Sequence, residues 1–236
     1  MDEVRVNPWD AEELGHLLRP GPAPIDPHDE PDPYRYLLAL NWQRMRAVLH
    51  ANKVESAREA FWQDWRSKRM PLGSEDWKQA MWEIAAEATA CVQSLHTMED
   101  SLAQLIDALI WPGEHDEDRI KPGIVARKLG REYPESGILK RMQALRESEE
   151  FRYIDAFCNK TKHVDPINTR HYMERMLGPE LTVAEGIGFS DFSRFGQFYP
   201  SLSVDILCSE YRKKVFELVQ AVLDEIASWL KGQSTG

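Results

Sequence analysis

With 236 residues, 42% of them hydrophobic and 29% charged, the chain has a globular composition and the length to bury a substantial core. A net charge of −10 excludes a uniformly basic surface, and no apolar run is long enough to span a bilayer. The acidic, proline-broken stretch Met1–Pro8 does not resemble a secretory leader, so a cytoplasmic protein without membrane association is expected.

The negative charge is concentrated at one end. Residues 1–33 hold nine Asp and Glu against Arg5 and Arg19, leaving a net of only −3 for the other 203 residues. The body therefore has room for a local basic site. The same 33 residues hold seven of the fourteen prolines. Proline lacks an amide donor and disfavours helix in the residue before it. The spacing predicts an extended acidic arm over 1–33, with a short helix near Ala11–Leu18, followed by a helical domain over 34–232.

From Tyr34 the texture is helical. Leu37, Leu38, Leu40, Met45 and Val48 line a first predicted helix over 34–51. A more polar second one covers 54–69 and is ended by Pro71-Leu72-Gly73. Ser74 is the expected N-cap of a long helix. Along it Trp77, Met81, Ile84, Ala88, Cys91, Leu95, Met98, Leu102, Leu105 and Leu109 recur in steps of three and four as one apolar face. Trp111-Pro112-Gly113 stops it. The loop Glu114–Asp118 reads as solvated, and a short helix restarts at Ile124. A helix is predicted from Ser136 to Val164, limited by Pro166. Residues 167–203, with Gly186, Gly188, Gly196 and Pro200 among several aromatics, read as an irregular or β-hairpin excursion. A last helix starts near Ser203 or Ser209, with Val215, Val219, Val222, Ile226 and Leu230 facing inward. The predicted fold class is all-α, an up-and-down bundle of four to five helices.

The segment 151–163 carries the functional signal. On a helix at 100° per residue, Phe151, Ile154, Phe157, Cys158 and Thr161 share the packing face. Arg152, Asp155, Asn159 and His163 share another stripe, with Lys162 at its edge. His163 sits at the helix C-terminus, where the macrodipole and free carbonyls favour imidazolium. With Lys160 and Lys162 beside it, this end can hold an anion and donate a proton, as phosphodiester chemistry requires. A structural histidine satisfies the same pattern.

Asn159-Lys160-Thr161-Lys162-His163 resembles the Asn-x-x-Lys-His end of the third helix in the HEPN superfamily of small helical bundles. The segment Gln93–Ile106 is similar to the first long helix of one prokaryotic branch, and the excursion before a closing helix fits the same branch. The resemblance covers roughly residues 75–230. It implies a homodimer whose His-bearing helices meet across the interface. It also implies either a metal-independent endoribonuclease, often a toxin–antitoxin or phage-defence component, or a relative that has lost catalysis and binds RNA, nucleotides or a cognate protein. His163, Asn159, Lys162 and Arg152 are the site residues on this reading. Active members carry an arginine separated from the histidine by four to six residues. Here those positions are Cys158, Phe157 and Ala156, so the pattern leaves catalysis open. Arg152 is eleven residues from His163, about 16 Å along the axis, and meets it only from a second subunit.

His96 and Asp100, one turn apart on the long helix, form a secondary candidate pair, without the further ligands that a metal site needs. Glu83 and Glu87 are also one turn apart, but the Glu-x-x-His pattern of di-iron bundles is missing. No motif calls for a cofactor. Cys91, Cys158 and Cys208 are widely spaced and read as small apolar side chains in a reducing compartment.

Overall fold

The computed structural model describes residues 11–18, 33–67, 69–163, 167–176 and 182–233. The chain is predominantly helical, a mostly-α bundle with a small antiparallel excursion before its last long helix. The helices are α1 (Ala11–Leu18), α2 (Pro33–Arg66), α3 (Glu75–Ile110), α4 (Pro122–Glu132), α5 (Gly137–Glu147) and α6 (Glu149–His163). After the strands come α7 (Val204–Ile206), a π turn over Leu207–Tyr211, and α8 (Arg212–Gln233). The expected arm lies outside the described residues except for α1, where Leu14 is buried, and Pro33, which opens α2.

Two compact units are formed. One comprises residues up to Trp42, Thr97–Glu147 and Phe216 onward; the other comprises Gln43–His96 and Ser148–Val215. In the first, Leu102, Leu105 and Ile106 of α3, Leu129 of α4, Met142 of α5 and Val219, Val222 and Ile226 of α8 are buried. In the second, Phe61 of α2, Ile84, Ala88 and Leu95 of α3 and Ile154 and Phe157 of α6 are buried with Ile187 and Phe189.

The helices differ from expectation in three ways. No break divides α2 near residue 52, because Ala51-Asn52-Lys53 contains no residue that forbids a helical turn. On that helix Leu38 and Met45, expected inward, are exposed. With Trp42 and Leu49 they form an exposed apolar stripe at four-, three- and four-residue steps. Finally, the predicted 136–164 helix is two helices. The Ser148 hydroxyl accepts the amide of Phe151 at 3.1 Å and starts α6 afresh. Ser74 caps α3 in the expected way, its hydroxyl accepting from the Trp77 amide at 3.2 Å.

The excursion forms two antiparallel sheets. One has strand order β1 (Thr169–Met176), β2 (Thr182–Phe189), β5 (Leu202–Ser203); the other is the hairpin of β3 (Phe192–Arg194) and β4 (Gln197–Tyr199). Gly188 permits the β2–β5 approach: a Cβ there would lie 2.7 Å from the Leu202 carbonyl oxygen. At the β3–β4 turn both Phe195 and Gly196 have positive φ, 48° and 78°. That is the mirror-image two-residue turn whose twist matches the strands.

The Glu114–Asp118 loop is solvated as expected at Glu114, Asp116 and Asp118, and two of its side chains reach buried partners. Glu114 pairs with the buried Lys128 at 2.5 Å, and His115 Nδ1 lies 3.0 Å from the buried Asp107 carboxylate. Lys128 also stands 4.3 Å over the Trp111 ring. Among the described residues no helix is long and apolar enough to cross a membrane.

Candidate functional site

Helix α6 buries Phe151, Ile154, Phe157 and Cys158, as its periodicity predicts. Arg152 is exposed and Asp155 and Asn159 are half-buried, so three of the four stripe residues share the polar side. His163 is the last residue of α6; its imidazole lies outside the described side chains. Lys162 is exposed.

The strongest cluster centres on Asp155. Its Oδ1 accepts from His96 Nε2 at 3.1 Å and from Asn159 Nδ2 at 2.7 Å, and the same amide also donates to the Asp155 backbone carbonyl at 2.9 Å. The hydrogen bond from His96, aided by the charge of Arg194, holds the Asp155 carboxyl below its usual range despite partial burial. An ionised carboxylate requires His96 Nε2 to carry the proton. His96 stacks on Phe151, its ring nearly parallel at 6.3 Å, and its Nδ1 is buried without a hydrogen-bond partner. The carboxylate partner of His96 is thus Asp155 on another helix. Asp100 lies one turn along α3 and is half-buried.

The β3–β4 hairpin completes the cluster. Phe192 and Tyr199 are directly paired, stack at 5.0 Å, and both meet Tyr153 of α6 edge-on. Side chains two residues apart on a strand share a face, so Arg194 and Gln197 point the same way as Phe192 and Tyr199. The Arg152 guanidinium donates to Gln197 Oε1 at 3.2 Å. The opposite face carries Ser193 and Phe198. Phe198 is exposed, and Phe195 at the tip is 93% exposed with the Arg194 guanidinium 4.6 Å from its ring centroid.

Arg194 was not singled out by the sequence, since nothing local marks a strand residue 39 positions from Asp155 as its neighbour. Alternation within Phe192–Tyr199 was the available signal.

An ionised carboxylate accepts hydrogen bonds from hydroxyl or amino groups, while the nearby Arg194 charge and the exposed Arg152 attract anions. Held ionised, Asp155 is a poor general acid near neutrality. His96 already spends its Nε2 proton on Asp155.

The remaining candidates are engaged elsewhere. Glu87 accepts from His50 at 2.6 Å and from Lys53 at 3.3 Å. Burial acts to raise the Glu87 carboxyl, but these two partners outweigh it and lower it. All three cysteines are buried and free, and burial pushes the Cys158 thiol up to about 12. Among the described residues no group of three His, Cys, Asp or Glu is placed to hold a metal.

Compared with protein-family models, with characterised proteins and with solved structures, the chain matches none.

Proposed function

We propose that the protein is a HEPN-like RNA-binding protein that engages RNA along the polar side of α6 and the adjoining β3–β4 hairpin. One observation carries the reading: Arg152, Asp155 and Asn159 form a half-open polar line on α6, tied to the hairpin through the Arg152–Gln197 hydrogen bond, with the charge of Arg194 acting on the Asp155 carboxyl. The arginines attract phosphates and the Asp155 carboxylate accepts from ribose hydroxyls or base amino groups. The resemblance around Asn159, Lys162 and His163 supplies the substrate class. It also makes His163 the candidate general acid or base of a metal-independent cleavage, with the Arg194 cation in the role that Cys158, Phe157 and Ala156 cannot fill.

The test is binding of fluorescein-labelled single-stranded RNA, measured by anisotropy at several salt concentrations. Arg152→Ala and Arg194→Ala should each weaken binding and flatten the salt dependence by about one unit of slope. A gel assay of the same RNA, beside His163→Ala, separates cleavage from binding. No salt-sensitive binding by the wild type rejects the proposal.

A second reading, a non-catalytic module that dimerises or binds a cognate protein, is favoured by the exposed α2 stripe of Leu38, Trp42, Met45 and Leu49. Steps of four, three and four are those of a helix–helix seam. Light scattering decides it: a dimer mass that falls to 27.3 kDa in the Trp42→Glu/Met45→Glu protein supports this reading.

A further inference from the structure

We propose that the β3–β4 hairpin is a base-stacking platform for single-stranded RNA, with the Phe195 ring as its principal contact and Phe198 as the second. This rests on the RNA-binding reading and specifies what is recognised: the faces of unpaired bases.

The hairpin is anchored by one face only. Phe192, Arg194, Gln197 and Tyr199 lie on the α6 side, and Phe192 is buried there. Phe195 and Phe198 take no part in that anchoring and are 93% and 62% exposed. Folding needs neither ring in water.

The backbone makes the same point independently. Phe195 has a φ of 48° in the left-handed region, at a turn position that asparagine, aspartate and glycine fill without strain. A bulky residue there opposes the local steric preference, so the displayed ring is explained by a contact made outside the fold.

The neighbouring charges identify the occupant. Arg194 covers one side of the Phe195 ring at 4.6 Å, and Arg152 is fastened to the opposite strand through Gln197. Single-stranded RNA offers an open base face and a phosphate in every nucleotide, which matches an exposed phenyl ring with the Arg194 guanidinium on one side. An apolar protein partner would match the rings but would bury the Arg194 guanidinium over Phe195 without offering it an anion. A duplex keeps its base faces stacked internally, so loops, ends and unpaired strands are the expected targets.

The test uses the full chain with Phe195→Asn, because asparagine tolerates the left-handed conformation. The variant should melt ~2–4 °C above wild type through relief of strain. It should bind a short fluorescein-labelled oligouridylate roughly tenfold more weakly, and Phe195→Tyr should restore wild-type affinity. An abasic oligonucleotide of equal length isolates the stacking: wild type should prefer the oligouridylate roughly tenfold, and Phe195→Asn should lose that preference. Equal binding of both oligonucleotides by wild type, with Phe195→Asn unchanged, overturns the platform and leaves the RNA-binding reading standing. Binding of neither by wild type overturns both. A fall from dimer to monomer mass in Phe195→Asn/Phe198→Ser would instead show the hairpin to be a contact between copies, and would overturn the platform too.

Discussion

The Nε2 of His96 lies 3.1 Å from Oδ1 of Asp155, 59 residues further along the chain. Because this bond and the Asn159 amide converge on one carboxylate oxygen, they fix its charge and the tautomer of the imidazole together.

That pair makes acid stability depend on Asp155. Its carboxyl is depressed chiefly by the His96 hydrogen bond. It therefore contributes stability above the unfolded carboxylate value of about 3.9, and the contribution is lost as pH falls through the lower folded value. Asp155→Asn should cost about 1 kcal/mol at neutral pH, a modest figure because the side chain is half exposed. The cost should vanish towards ~pH 2. Urea midpoints measured across the acid range check this, and an equal loss at every pH would refute it.

His171 on β1 sits among four aromatic rings: Phe61 at 6.4 Å, Trp62 at 5.5 Å, Trp65 at 5.9 Å and Trp77 at 6.5 Å between centroids. Its Nε2 is buried with no hydrogen-bond partner. His171→Phe keeps the ring contacts and removes the orphaned polar atom, so thermal stability should be unchanged or higher. His171→Ala should cost about 2–3 kcal/mol and alter tryptophan fluorescence. A Phe variant as unstable as the Ala variant would show that the imidazole nitrogens matter more than the packing.

Gly188→Ala should separate β5 from β2. The added Cβ would sit 2.7 Å from the Leu202 carbonyl oxygen, and 3.3 Å from the Ser203 Cα. Both are backbone atoms, so no side-chain rotation relieves the clash. A loss of about 1–3 kcal/mol is expected, with faster amide exchange at Leu202 and Ser203. Gly73→Ala, with open space around its Cβ but φ of 77°, gives the comparison: backbone strain of about 1 kcal/mol without the clash.

Ser148→Ala removes the acceptor for the Phe151 amide. Loss of an N-cap costs about 1 kcal/mol, and a melting shift of ~2–4 °C follows. Ser148→Asp should retain nearly all of the stability, since aspartate caps as well and favours the positive end of the helix. If alanine is neutral and aspartate is not, helix charge rather than capping governs this junction.

The phase of α6 and the extent of α3 were legible in local residue patterns. Both follow from side chains within a few turns of one another. Phe151, Ile154, Phe157 and Cys158 recur at helical spacing and must be buried together. Ser74 and Trp111-Pro112-Gly113 bound α3 with a cap at one end and a breaker at the other. The polar line Arg152, Asp155, Asn159 followed from the same phase. Where local signals were weak, the boundaries moved: α2 has no breaker near Asn52, and a capping serine within Arg146-Glu147-Ser148-Glu149 looks like one more polar residue. Tertiary structure alone decided what stands beside that line. The partners of Asp155 and Arg152 lie 59 residues before and 45 residues after them. The pairing of Phe192 with Tyr199, and their packing on Tyr153, brings Arg194 back to α6. Such long-range closure is driven by burial of the aromatic face, which is non-directional and leaves no spacing rule along the chain.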